Sequence, residues 1–442
     1  MSDLFDRGLT PKLKPLAPKR TTVLSVLDVG TNKIVCLIAK LRPLEAGEML
    51  PGRTHQAQIL GIGHQRARGI KSGAVVDMEL AEQSVRQAVD AAERMAGVRV
   101  DSVIVNVSCG RLSSEHYSAT VQVGGHQVAD GDIHRVLDAG ASHCVRDRRA
   151  VLHSLPIGHM LDGVNGIRDP RGMLGRTLGV DMHVVTAEAS PAKNLMLAIE
   201  RCHLHVEAMV ATPYAAGLAA LVDDEAEMGV TLIDMGAGTT SVAVFANRSF
   251  VHADGLAVGG SHVTTDVARG LSTRLSEAER LKVLYGATIA SPSDERETIA
   301  VPPVGEDEHA GPHHVPRSRL VRIIRPRIEE ILELVRDRLK ASGAWAEAGR
   351  RVVLTGGASQ LTGTVELSRK ILDRQVRIGR PLGITGLPEA AKGPSFAASV
   401  GLLVYPQVAG IEHFEPQGRS RGLATGTDGY MARVGRWLKD SF

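Results

Sequence analysis

The chain has 442 residues, 43% of them hydrophobic and 23% charged, with a formal net charge of +3 at pH 7. That length exceeds one ordinary core and predicts roughly two to four subdomains of a soluble globular protein. The charge is too small to argue for nucleic acid, no stretch of about 18 apolar residues is read that would span a membrane, and the start MSDLFDRGLTPKLKPLAPKR lacks the apolar segment of a secretory signal.

In chain order, residues 1–20 are rich in proline and lysine and read as a disordered basic arm. Alternating strands run from Thr21 to about Ala67, with GEMLPGRTHQ as a hairpin turn. The segment Asp77–Ala96 carries Leu80, Val85, Ala88, Val89 and Ala92 near helical spacing. Val100–Val107 reads as a strand. Residues 108–180 look like a separate segment, with a short strand at 119–123, a helix near Gly131–Gly140, the strand VLHSLPI and a glycine-rich stretch. The strand MHVVTAE and the helix Pro191–Cys202 resume an α/β pattern, and VEAMVATPYAAGLAALV couples a strand to a helix. This alternation predicts an α/β protein with mainly parallel sheets. Residues 291–319, with His309, His313 and His314 among prolines and charges, read as a solvated loop flanking a short strand rather than a metal site. The four cysteines, Cys36, Cys109, Cys144 and Cys202, have no C-x-x-C spacing and read as reduced packing residues of a cytosolic protein.

One motif occurs twice. In VLSVLDVGTNKIVCLIAK an apolar strand ends at Asp28, followed by Gly30, Thr31, Asn32 and Lys33 and a second apolar strand. In GVTLIDMGAGTTSVAVF the corresponding residues are Asp234, Gly236, Ala237, Gly238, Thr239 and Thr240. A hairpin that presents backbone N–H groups to phosphate oxygens needs residues without a Cβ, for close approach and for positive φ. Threonine hydroxyls and Lys33 add donors and charge. An aspartate at each strand end suits a hydrated Mg²⁺, which keeps much of its water. A third element, RVVLTGGASQLTG, is a strand running into Gly356, Gly357 and Ala358. One such hairpin is an ordinary turn; two facing each other are what a nucleotide held between two domains requires.

The order of first hairpin, T-P-Y-A-A-G helix, second hairpin, G-G-A turn and final FAASVGLLVY helix resembles the superfamily of actin, DnaK-type chaperones and sugar kinases. Within it, GIGHQRARGIKSGAVVDMELAEQSVRQAVDAAE, RDPRGMLGRTLGVDMHVVTA and KNLMLAIERCHLHVEAMV resemble the FtsA family of actin-like bacterial cell-division proteins. The resemblance covers residues 21–405. It implies an actin-like two-lobed ATPase fold with a nucleotide cleft and a subdomain 1C in place of actin's 1B. Subdomain 1A would comprise 21–107 and 181–222, with 385–405 returning to it, and 1C would comprise 108–180. Subdomain 2A would comprise 223–250 and 340–384, and 2B 251–339. It further implies that ATP and Mg²⁺ bind at Asp28, Gly30 to Lys33, Asp234, Gly236 to Thr240 and Gly356 to Ala358, with Asp28 and Asp234 holding the metal through water. Gly259 and Gly260 match a turn beside the phosphates. Glu279 and Lys282, three apart on a helix and so on one face, match a pair aimed at the ribose and base.

Where hydrolysing relatives open the connecting helix with glutamate or glutamine, this chain has Thr212 or Pro213. Phosphoryl transfer depends on positioning the nucleophile, so ATP binding with at most slow hydrolysis is expected. Residues 406–427 read as a flexible linker. They lead into 428–442, where a helix would gather Met431, Val434, Leu438 and Phe442 on one side, with Tyr430 and Trp437 at its edge. Arg433, Arg436, Lys439 and Asp440 fall opposite, which is how a helix lies in a membrane interface. The resemblance implies polymerisation, the tubulin-like FtsZ as partner through its C-terminal peptide at 2B, later division proteins as further partners, and a place on the cytoplasmic face of the inner membrane at the division site. The alternatives are a sugar or acetate kinase, which has no use for such a tail, and an actin-like protein of a cell-shape or pilus system.

Overall fold

The apolar runs flanking the first motif form the middle of a six-stranded sheet. The computed structural model describes residues 5, 8–13, 16–17, 19–44, 53–141, 148–304 and 311–414. The sheet order is His205–Ala211, Ser102–Val107, Thr22–Val29, Lys33–Pro43, His55–Arg66 and Ile384–Thr385. Residues Ile34 to Ala39 are all fully buried, because helices cover both faces of the sheet and leave no polar side to alternate with. One cover is the helix Met78–Ala96, whose buried stripe is Ala81, Val85, Ala88, Val89 and Ala92. Asp77 caps it, its side chain accepting from the Leu80 N–H at 3.0 Å, and Gly97 closes it at φ 66°. The helices Thr212–Ala220 and Ala397–Val408 pack together on lobe I. The stretch Pro394–Ile411 is long and apolar enough to cross a membrane (mean hydropathy 1.2), contrary to the sequence reading, but 67% of it is buried inside the protein, so it serves as a core helix.

Lobe II repeats the plan. Its five-stranded sheet runs Ser249–Leu256, Thr240–Ala246, Val230–Met235, Arg351–Thr355, Gln375–Ile378. The helices Gly260–Leu271, Leu275–Tyr285 and Arg317–Ala341 build a second core with it around Val263, Leu281, Ile324, Ile328 and Leu332. Inserted into lobe I is a four-stranded antiparallel sheet in the order Ser113–Gln122, Thr177–Glu188, Arg149–Leu161, Val164–Ile167, covered by the helix Asp130–Ala141.

Five expectations change. The two lobe sheets are mixed rather than mainly parallel, because each repeat of the motif is a tight hairpin and short loops can only join antiparallel strands. The strand containing MHVVTAE, read as resuming lobe I, is central in the inserted sheet and pairs antiparallel on both sides. Its consecutive buried Val184 and Val185 imitate a strand of a parallel sheet. The strand Ser249–Leu256 pairs with Thr240–Ala246, so a boundary at 251 would cut through the lobe II sheet. Part of the arm is docked: the Thr10 hydroxyl donates to the Val151 carbonyl at 2.8 Å, the Lys12 ammonium to the Leu152 carbonyl at 2.6 Å, and Phe5 is buried. Prolines and lysines mask the few apolar residues that hold it. The start of the expected linker is likewise ordered, since Pro406 lies inside a helix and Glu412 accepts from His153 Nδ1 at 2.8 Å with both side chains buried. In 291–319, Thr298–Val301 and His313–Pro316 pair as a two-stranded sheet. The expected helix at 428–442 and Cys144 lie outside the described residues.

Candidate nucleotide site between the lobes

The two copies of the motif fold into the same turn. The Gly30 N–H donates to the Lys33 carbonyl at 3.0 Å, and the Gly236 N–H to the Thr239 carbonyl at 2.9 Å. The two turns come from opposite lobes and cross. A Cβ on Gly238 would lie 2.7 Å from Cγ2 and 2.8 Å from Cβ of Thr31, so only glycine allows this approach. Thr31 is steadied from behind, its hydroxyl accepting from the Gly73 N–H at 3.1 Å. The third turn joins them: Gly356 holds φ 83°, and a Cβ there would lie 2.6 Å from the Met235 carbonyl carbon. Gly357 differs, with only Ser395 Cβ at 3.9 Å from where its own Cβ would be, so it opens on the cleft.

These turns surround a cavity of about 800 Å³, lined by Asp28, Gly30, Thr31, Asn32, Lys33, Asp234, Gly236, Ala237, Gly238, Thr239, Glu279, Gly356 and Gly357 among others. A second cavity of about 390 Å³ adjoins it through shared Asn32, Gly236, Ala237, Glu279 and Gly357, and adds Gly260, Lys282 and Ala358. Two predicted residues line neither. Thr240 is fully buried and donates to the Val258 carbonyl at 2.8 Å. Gly259 packs on the second turn, where a Cβ would lie 2.6 Å from the Gly236 carbonyl oxygen. Both hold the scaffold; their glycine and threonine identities imitate phosphate contacts because they flank the turn that makes them. The Glu279–Lys282 pair forms at 2.6 Å, and Lys282 also donates to Thr264 Oγ1 at 2.9 Å and the Gly260 carbonyl at 3.2 Å. It ties the two helices at the wall of the second cavity.

Like charges meet at the floor of the cleft: Asp28 is buried and Asp234 half-buried, with Lys33 as their counter-ion. Burial pushes the Asp28 carboxyl up, against Lys33 and the Ser399 hydroxyl that donates to it at 2.6 Å. Burial, reinforced by Asp28, pushes Asp234 up to about 7. Burial lowers Lys33, whose ammonium donates to the Ser395 carbonyl at 2.7 Å and lies 3.5 Å from the centre of the Phe396 ring. Asp28 and Asp234 are two acids beside one base, and such a pair of hard oxygen donors would suit the water shell of a divalent cation; Arg66 also lines the cavity and Lys282 the adjoining one. Among the described residues no group of three or more His, Cys, Asp or Glu could hold a metal directly.

At the head of the connecting helix, Thr212 rather than Pro213 lines the main cavity. Its hydroxyl accepts from Asn106 Nδ2 at 3.1 Å, and Asn106 Oδ1 accepts from the Val29 N–H at 2.7 Å. Asn106, His64, Ser395 and Phe396 also line the cleft and were missed by sequence reasoning. Asn106 carries a signal, a lone amide in the apolar strand SVIVNV. Ser395 and Phe396 precede the final core helix after Gly393-Pro394, a break that marks a loop without naming its use.

Solved structures share this fold. The PilM–PilN type IV pilus biogenesis complex superposes with TM-score 0.58 at 15% identity over 87% of this chain and 98% of that one. MreB5 of Spiroplasma citri bound to ADP gives 0.50 at 13% identity over 88% and 97%. Two lobes of repeated topology with crossed hairpins between them define an actin-like ATPase fold. Sequence narrows the class. The family model "Cell division protein FtsA" matches residues 231–401, and "SHS2 domain inserted in FTSA" matches 109–186, the inserted sheet. The cell division protein FtsA of Rhizobium meliloti (strain 1021) is 57% identical over 433 residues, covering 98% of each chain, and that of Escherichia coli (strain K12) is 32% identical over 424 residues, covering 94% of this chain and 97% of the other. The chain belongs to the FtsA family of cell-division proteins.

Proposed function

We propose that this actin-like cell-division protein binds ATP with Mg²⁺ between its lobes, polymerises, and tethers an FtsZ ring to the cytoplasmic face of the inner membrane through residues 428–442. The observation that carries the nucleotide reading is the meeting of two equivalent glycine turns beside Asp28 and Asp234. Phosphates bound there would be faced by the N–H groups of both turns from opposite sides. Lys33 contributes a cation at the phosphates, Gly357 leaves room for the adenosine, and Glu279 with Lys282 bounds the ribose and base. Asp28 and Asp234 would hold the water shell of Mg²⁺, whose charge would offset that of the phosphates. Thr212, its hydroxyl already accepting from Asn106, orients water weakly, so turnover is slow and the nucleotide acts mainly to hold the lobes in one relative orientation for subunit contacts.

The C-terminal peptide of FtsZ would dock on lobe II within the region read as 2B, with later division proteins joining the assembly. An equilibrium binding measurement with labelled ATP, with and without Mg²⁺, followed by binding of an FtsZ tail peptide to the full chain, tests the proposal. Absence of nucleotide binding sinks the cleft assignment. Nucleotide binding without peptide binding sinks the ring-tethering role alone.

A further inference from the structure

Away from the interlobe cleft, the outer edge of the lobe II sheet carries a second built recess of about 430 Å³. Its floor is apolar, Val352 and Val376, both buried. Its walls are four arginines, Arg351, Arg369, Arg374 and Arg377, drawn together by neighbouring strands and the end of the helix Thr364–Leu372. A single carboxylate, Glu225, lines the same space. That carboxylate is already taken: Arg377 binds it through two nitrogens at 2.7 and 2.5 Å, and it also accepts from the Val222 N–H at 3.3 Å.

Donor counting then leaves a surplus. Each guanidinium offers five N–H donors. Among the described residues Arg369 gives one hydrogen bond, to the Val376 carbonyl at 3.0 Å, and Arg374 one, to the Trp345 carbonyl at 3.0 Å. Arg374 also lies 4.2 Å from the centre of the Trp345 ring, which fixes its plane. Arg351 is exposed at the rim. Burial, then the neighbouring Arg350, holds the Arg374 guanidinium below its ordinary value, with Asp373 opposing. Four arginines gather round a single lining carboxylate, Glu225, with Asp373 beside Arg374, and planar guanidinium groups fit tetrahedral oxyanions by paired hydrogen bonds.

We infer that the recess walled by Arg351, Arg369 and Arg374 on the lobe II sheet edge binds a compact phosphate-bearing anion, either free in solution or as a lipid headgroup. Glu225 serves the site by fixing Arg377, and Trp345 serves it by fixing Arg374. The chemistry is binding alone, and it is independent of the nucleotide between the lobes.

The chain has two tryptophans, so in full-length protein carrying Trp437→Phe the remaining one, Trp345, reports on this recess. Titration with inorganic pyrophosphate is expected to change its emission saturably. Arg351→Gln, a rim residue that the fold does not need, should weaken the midpoint by about tenfold, the worth of a charge-assisted hydrogen bond. Pyrophosphate in the interlobe cleft touches neither Trp345 nor Arg351 and so does not share this dependence. Phosphatidylglycerol vesicles that reproduce the change only while Arg351 is present, where pyrophosphate does not and with phosphatidylcholine vesicles silent, identify a lipid headgroup; pyrophosphate alone identifies a soluble ligand. No saturable change with either probe, or one that survives Arg351→Gln, overturns the site.

Discussion

Gly238 and Thr31 touch across the interlobe cleft so closely that a Cβ on the glycine would lie 2.8 Å from Cβ of the threonine. They belong to different lobes and to the two copies of one motif, so this contact sets how near the phosphate turns approach each other. Gly238→Ala should force the turns apart, an overpacking cost of about 1–3 kcal/mol. ATP affinity is expected to fall at least about tenfold and to recover in part in Gly238→Ala/Thr31→Ala, because the second change removes the hydroxyl and methyl that collide. Equilibrium nucleotide binding of the two variants checks it; wild-type affinity in Gly238→Ala would show that the lobes close without this contact.

Gly357 separates ligand space from fold. Its Cβ direction is open apart from Ser395 at 3.9 Å, so Gly357→Val should cost little stability, within about 0.5 kcal/mol, while filling the cleft and abolishing ATP binding. At Gly236 a Cβ would lie 2.9 Å from the Thr239 carbonyl, and Gly236→Val should lose binding and stability together. Thermal unfolding alongside nucleotide binding distinguishes the two.

The carboxylates at the floor of the cleft make stability depend on pH. Asp234, pushed up to about 7, holds its proton in the folded protein at pH values where the unfolded chain has released it. Its contribution is therefore present at low pH and is lost as pH rises from the ordinary carboxyl range through about 7, a swing of a few kcal/mol at most. Asp234→Asn should raise the melting temperature of nucleotide-free protein at pH 8, flatten its decline between pH 5 and 8, and weaken Mg-dependent ATP binding. A variant no more stable than wild type at pH 8 would mean that Lys33 already balances the site.

Much of the cleft is legible in the sequence because the motif is local. Strand, aspartate, glycine turn and strand recur at fixed spacing, so Asp28 and Gly236 stand out from that spacing alone, and Gly357 from the G-G-A turn that follows a third strand. What stays hidden depends on distant pairing. Thr240 and Gly259 look like phosphate ligands until the hydrogen bond from Thr240 to Val258 and the close packing of Gly259 on the Gly236 carbonyl place them behind the turn. Asn106 and Phe396 reach the cleft from a strand and a loop far apart in the chain. The MHVVTAE strand shows the same limit, since burial on both faces carries no record of which neighbours cover it. Docking of Thr10 and Lys12 on the inserted sheet rests on backbone carbonyls, which any sequence supplies.

Thr212 bears on the rate of ATP hydrolysis. Its hydroxyl accepts a hydrogen bond from Asn106, and it occupies the helix head where a carboxylate or amide would position water. Phosphate release in steady state should fall far below the roughly 10 per second of a median enzyme, and Thr212→Ala should leave it unchanged within about twofold. Rapid release would reveal another residue ordering the water, and a rate stimulated by a sugar would favour a kinase.

The last prediction concerns residues 428–442, whose apolar set Met431, Val434, Leu438 and Phe442 faces away from Arg433, Arg436 and Lys439 on a helical projection. Deleting them should leave a folded, ATP-binding protein, because the cleft and both lobe cores are already built by residues that precede position 415. The shortened protein should no longer sediment with anionic vesicles. Trp437→Glu should do nearly as much, since a carboxylate there would have to lose water and would face anionic lipid. So short a helix binds reversibly, and many on one polymer bind firmly. Vesicle binding should therefore rise steeply with protein concentration when ATP is present. Equal sedimentation of full-length and shortened protein, with and without ATP, would remove the anchor and leave the segment as a helix packed on its own protein.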